Sequence, residues 1–315
     1  MDIHLIFWIV FSILFISVFF VDMFVTDHRR GDLQVKTALF WCSIWVSTAF
    51  LFAIILYYFF PHGETKSFEF ITGYLIEYSL SVDNLFVFIM IFQTMKIPHM
   101  YQPRILKWGI LGAVVLRILF IMAGVELITR FSFMIYIFGG VLVYTAYKMM
   151  TSKDEEIHPE KNIFVRFSKK LFRIKTDVSS DHFFVKHDGK KYATIAFITL
   201  ILIESTDLIF AIDSIPAVLA ITRDSFVAIT SNLFAILGLR SLFFALSGIL
   251  KLFRYLKYGI SFILLFVGIK MLLSSVLHIP VQISLLVIIA TLGISIFASV
   301  VIKESHDKSV KKRHK

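Results

Sequence analysis

The chain has 315 residues, 58% of them apolar and only 17% charged, with a mean hydropathy of +0.82. An ordinary soluble domain carries roughly 45–50% apolar and about 25% charged residues, so that class is excluded, and so is intrinsic disorder. A single cysteine, Cys42, excludes an intrachain disulfide and a multi-thiolate metal site. The formal charge of +10 would ordinarily suggest a nucleic-acid partner, but the placement of the basic residues points to membrane topology instead, and no nucleic acid is expected.

A bilayer core about 30 Å thick needs roughly 20 apolar helical residues. Such runs occur nine times, at about 3–25, 37–60, 68–95, 108–128, 131–150, 193–222, 226–250, 256–276 and 281–302. The first follows Met1-Asp2 with no basic flank, which predicts a retained span and not a cleaved leader. The joints after spans one, three, five and seven, together with the C-terminus, hold 26 of the 32 Lys and Arg residues. The alternate joints hold only Lys66, Arg130 and Arg223. The positive-inside rule then predicts a multi-pass protein of a bacterial-type inner membrane, N-terminus outside and C-terminus cytoplasmic. The polar stretch 151–191 reads as a cytoplasmic loop, and the turn signal His187-Asp188-Gly189 within it predicts a small hairpin or cap. Residues 303–315 read as a basic tail that favours anionic lipid. The whole chain is expected to form one transmembrane domain.

Ionisable residues inside spans are costly and usually functional. Span three reads EYSLSVDNLFVF, with Glu77, Asp83 and Asn84; span six reads ESTDLIFAIDSIPAV, with Glu204, Asp207, Asp213 and Ser214. At about 2.5–3.5 kcal/mol per central charge, five lipid-facing carboxylates would cost more than ~10 kcal/mol, so they must face something else. The two segments match one another. Aligning Asp83 with Asp213 sets Glu77 on Asp207, Arg117 matches Arg240 further on, and Lys148 answers Lys270. Spans 3–5 and 6–8, about 68–150 and 193–276, therefore read as two copies of a three-helix unit entering the membrane in opposite senses. In transporters that arrangement sets the binding site near the midplane between the repeats.

Acids six apart lie about 120° from one another on a regular helix. Either the whole rim faces a polar cavity or the helix breaks, and Pro216, which frees the Ile212 carbonyl, predicts a discontinuous span six, with span three as a weaker case. Clustered carboxylates with Asn, Ser and free carbonyls are hard oxygen ligands suited to Mg²⁺, Ca²⁺ or Mn²⁺. The candidate metal residues are thus Glu77, Asp83, Glu204, Asp207 and Asp213, with Asn84, Ser214 and the Ile212 carbonyl as secondary polar groups. Arg117, Arg240 and Lys270 are read as balancing their charge, and partial protonation would permit cation/proton exchange. Asp22 and Glu126 read as interfacial acids, and Gly139-Gly140, Gly238 and Gly268 as packing points. An aspartyl-protease dyad would leave three acids unexplained and no nucleotide-binding loop is present, so neither an enzyme nor a prosthetic group is expected.

The segments EYSLSVDNLFVF (77–88), DHFFVKHDGKKYAT (181–194), ESTDLIFAIDSIPAVLAIT (204–222) and SNLFAILGLRSLFFAL (231–246) resemble the TerC family of integral membrane proteins, in its Alx-like branch. The resemblance covers about residues 1–302. It implies a fold like that of the LysE-type exporters and the export of Mn²⁺ as transported substrate, with the metal site on Glu77, Asp83, Glu204, Asp207 and Asp213. The family's name comes from tellurium resistance, and some relatives are linked to membrane-protein biogenesis. A scaffold or tellurium-stress factor without transport activity is therefore the alternative expectation.

Overall fold

The computed structural model describes residues 3–25, 35–151, 162–172, 182–187, 190–249, 255–277 and 279–301; the side chains of Asp83 and Asp213, like the basic tail, lie outside what it describes. Eleven helices are present among the described residues: α1 (Ile3–Phe20), α2 (Val35–Phe59), α3 (Gly63–Thr94), α4 (Gln102–Arg130), α5 (Met134–Thr151), α6 (Ile163–Leu171), α7 (Ile195–Leu219), α8 (Ser225–Ile236), α9 (Leu239–Ile249), α10 (Leu256–Leu272) and α11 (Val281–Val301). Six are long and apolar enough to cross a membrane, and α8 with α9 makes a seventh if that bent pair is one span. The shorter α5 and α10, of 18 and 17 residues, pack against each other. Their contact runs through Gly139 and Gly268, where a side chain on either would come within 3.0 Å of the other's backbone carbonyl. The architecture is that of a polytopic, almost wholly helical membrane protein. Its core lies among α2, α3, α4, α7, α8 and α9, and the flanks carry exposed Ile, Leu and Phe suited to lipid.

The expected break in span six is not there. Both α3 and α7 run unbroken, because Pro216 sits in the last turn of α7 and only three helical residues follow it. The break lies instead in span seven, where α8 and α9 meet at 41°. Gly238 stands at the joint with φ +80°, a backbone region that favours glycine, and a Cβ there would strike the Trp45 ring. Gly238 is thus both the joint of the bend and a packing point, against Trp45 of α2. Alanine at 238 is expected to cost more than the roughly 1–2 kcal/mol of left-handed strain alone. Alanine at Gly140, which meets nothing within 4 Å, is expected to be neutral or stabilising. Thermal unfolding of both variants in detergent checks the contrast; equal melting points would remove the hinge.

The stretch 151–191 is also more built than a loop. Strands β1 (Phe184–His187) and β2 (Lys190–Ala193) pair antiparallel with His187 opposite Lys190, giving the hairpin expected from the turn signal, whose residues 188 and 189 lie outside the described residues. Phe183 holds the hairpin to α4 through Trp108 and Arg104. Helix α6 lies along the first half of α7. Asn162 caps it by accepting from the Phe164 and Val165 amides, and its Nδ2 donates to Ser205 Oγ at 2.8 Å. At the other end Phe172 packs on Phe197.

Candidate functional site

Helix α7 packs against both α3 and α4. Its close approach to α4 depends on glycine: side chains at Gly109 and Gly124 would meet Ile203 and Leu219, and one at Gly112 would strike the Glu204 carboxylate. Into this packing Arg117 of α4 projects, 1% exposed, and bridges the two neighbouring helices. Its Nη1 pairs with Glu77 of α3, and its Nη2 donates to Asp207 Oδ1 of α7 at 3.1 Å. Glu77 and Asp207 are themselves buried. The two acids that the internal alignment sets in register are therefore brought together in space, on one guanidinium. A guanidinium fork suits two carboxylates from two elements better than a lysine point charge would.

With the helices unbroken, the residues sharing a face lie seven apart and not six. Seven residues on a regular helix turn within about 20° of full register. Asn84 therefore falls on the face of Glu77, and Ser214 on that of Asp207; both are buried. Ser81 and Glu204 lie on the same two faces. Glu77 Oε2, Asp207 Oδ2, Ser81 Oγ and Ser214 Oγ are buried and have no hydrogen-bond partner. Glu204, partly buried, lies within coulombic reach of Asp207. Ile212 is 58% exposed on the outer flank of α7, about 140° around the helix from Asp207. Among the described residues no group of three His, Cys, Asp or Glu side chains is close enough to hold a metal ion. The side chains of Asp83 and Asp213 lie outside that set.

The other two cations have described partners of their own. The hinge at Gly238 delivers Arg240 to Asp22, with Nε 3.3 Å from Oδ2, both residues buried. Asp22 sits in a π-helical turn, Val21–Val25, at the end of α1, and Trp45 lies against it. Read as an interfacial acid from its place at a span end, Asp22 is instead buried, against Arg240 of α9 and Trp45 of α2. Lys270 donates to Ser284 Oγ of α11 at 2.9 Å. It lines a cavity of about 450 Å³ at the ends of α3, α7, α10 and α11, together with Glu69, Thr222 and Arg223. There Glu69 accepts from Lys66 at 2.9 Å and from Thr222 at 2.5 Å, tying the start of α3 to the end of α7. Among the described contacts, those to the motif acids are Arg117's. A further polar residue stands out: Asn232 of α8 is wholly buried, and neither amide atom has a hydrogen-bond partner. The polar triplet Thr230-Ser231-Asn232 inside an expected span was the signal that could have found it.

Fold and site together define a polytopic helical membrane protein with carboxylates and arginines paired at its core. The chain belongs to the integral membrane protein TerC family, whose model matches residues 62–307. It is 43% identical over 299 residues to STKORF319, an uncharacterized membrane protein of Myxococcus xanthus, covering 95% of this chain and 93% of that one. It is 39% and 38% identical to the Alx proteins of Salmonella typhi and Escherichia coli K12, provisionally described as membrane-bound redox modulators. Those matches cover 96% of this chain and 97% and 96% of the relatives. No solved structure matches the chain.

Proposed function

We propose that the chain is a nine-span inner-membrane exporter of a divalent metal, Mn²⁺ first among the candidates, through an acidic midplane site between two inverted repeats. The single observation that carries this reading is the set of buried, unpartnered oxygens on Glu77, Ser81, Asp207 and Ser214 beside the Arg117 bridge. A buried acceptor left unsatisfied costs about 1–3 kcal/mol, and hard oxygens of this kind are what a dication recruits. Asp83, Asp213 and Glu204 complete the carboxylate set, with Asn84 as a neutral ligand. The repeat reading is supported by the packing: α5 meets α10 and α3 meets α7, while α3 with α8 mirrors α4 with α7. That is the exchange of partners a pseudo-two-fold axis between α3–α5 and α7–α10 requires. Arg117 acts as the internal counterion of the metal-free form, and metal entry displaces it from Glu77 and Asp207. Protons moving inward onto the same carboxylates supply the return stroke, with the C-terminus on the cytoplasmic side.

The test is Mn²⁺ flux through purified protein in proteoliposomes. The wild type is expected to move Mn²⁺, with Ca²⁺ and Mg²⁺ as competitors that rank selectivity. Asp213→Asn and Glu204→Gln are expected to abolish flux with helical content unchanged. Folded wild type that moves none of the three cations overturns the reading and leaves a scaffold, biogenesis or tellurium-stress role. A redox role of the kind the relatives' description names finds less support: the sole cysteine, Cys42, is buried and has no second thiol with which to cycle a disulfide.

A further inference from the structure

We infer that α6 and the β1–β2 hairpin form a docking site for anionic phospholipid, holding this segment in the leaflet where α5 ends and α7 begins. The sequence of α6, IFVRFSKKL, has three basic residues among nine and a strongly one-sided apolar pattern. Only part of its apolar sector is used inside the protein: Val165 and Ser168 are buried against α7. Phe164, next to this buried strip around the helix, is exposed, and Ile163 and Phe167, farther round on the far side from α7, remain 72% and 63% exposed. A helix bathed in water would leave that apolar area uncovered, whereas one lying at the membrane interface buries it among acyl chains. Its position agrees. Asn162 bonds to Ser205, ten residues into α7 and so about 15 Å along a helix that crosses the membrane. Phe172 meets Phe197, near the start of α7. Helix α6 thus runs alongside the first ten residues of α7, from near its start to about 15 Å along it.

The charge is complementary to an anionic headgroup layer. Arg166 is exposed on the helix, and Lys186, Lys190 and Lys191 are exposed on the hairpin. Between helix and hairpin lies a pocket of about 340 Å³ with Phe172 and Phe184 in its wall and Lys186 and Lys191 beside them. Aromatic wall and paired ammonium groups fit an acyl chain and its phosphate respectively. Zwitterionic lipid would satisfy the apolar part alone; the lysines call for net negative charge.

The site is tested on the full-length protein by site-directed spin labelling, with Cys42→Ala as background and single labels at I163C, F167C and K190C. Reconstitution is in phosphatidylcholine alone and in its mixture with phosphatidylglycerol. Labels at 163 and 167 are expected to be open to oxygen and closed to a water-soluble nickel chelate in the mixed vesicles, while the label at 190 stays open to the chelate. Adding K186E and K191E is expected to abolish the difference between the two lipid compositions. Labels at 163 and 167 open to the chelate in mixed vesicles overturn the proposal, and so does protection from both reagents, which would show a protein surface covering α6. Neither readout depends on metal flux, so the inference stands or falls apart from the transport reading.

Discussion

Replacing Arg117 with glutamine is expected to lower the unfolding free energy by about 3–5 kcal/mol, because removing one partner strands the others as buried charges. Glu77 and Asp207 come from different helices, so the loss is felt as loosening of α3 from α7 around α4. Two comparisons separate charge from packing. Glutamine or asparagine at all three positions, R117Q with E77Q and D207N, removes the stranded charge and is expected to recover much of the stability. Lysine at 117 keeps the charge but cannot fork between two carboxylates, so it is expected to fall between wild type and R117Q. Thermal unfolding in detergent reads all three. If the dication takes the place of the guanidinium, added Mn²⁺ raises the melting point of R117Q more than that of the wild type, since binding to the folded form alone stabilises it by mass action. A melting point for R117Q equal to that of the wild type would show that the bridge does not hold the helices.

The second large effect is expected at Arg240. Leucine there removes the cation from Asp22, which is 2% exposed, and is expected to cost about 3–5 kcal/mol by the same reasoning. The difference from Arg117 lies in location. Arg240 ties α9 to the end of α1, well apart in sequence. R240L is therefore expected to destabilise the protein by loosening α9 from the end of α1, read as a lower melting point in detergent. The double variant D22N with R240L is expected to lose less than the two single losses added together, and that coupling is the measure of the pair. Strictly additive losses would mean that the two groups act independently.

The membrane class, the approximate position of the long apolar helical runs, the hairpin and the two acidic segments were legible in the residues, because each rests on local signals, whereas α6, inside a stretch that reads as a loop, was not. Twenty apolar residues declare a helix whatever surrounds them, and a carboxylate in such a run is conspicuous anywhere. The internal alignment sets Glu77 and Asp207 at equivalent positions, but their meeting on Arg117 was not legible in it. Nor was the location of the bend. Pro216 is the stronger helix breaker by composition, but its effect depends on how much helix follows it, and only three residues do. Gly238 bends its span because Trp45 of α2 leaves no room for a side chain there, which no local pattern records.

The same division explains the charges. By itself the sequence determined that this is a multi-pass helical membrane protein with five acids and three cations inside its spans, since hydrophobicity and charge are properties of single residues in their own run. Only the tertiary structure decided which cation answers which acid: Arg117 for Glu77 and Asp207, Arg240 for Asp22, and a serine of α11 for Lys270. Ion pairing falls off within a few ångströms, and those distances are set by how helices far apart in the chain come to lie side by side.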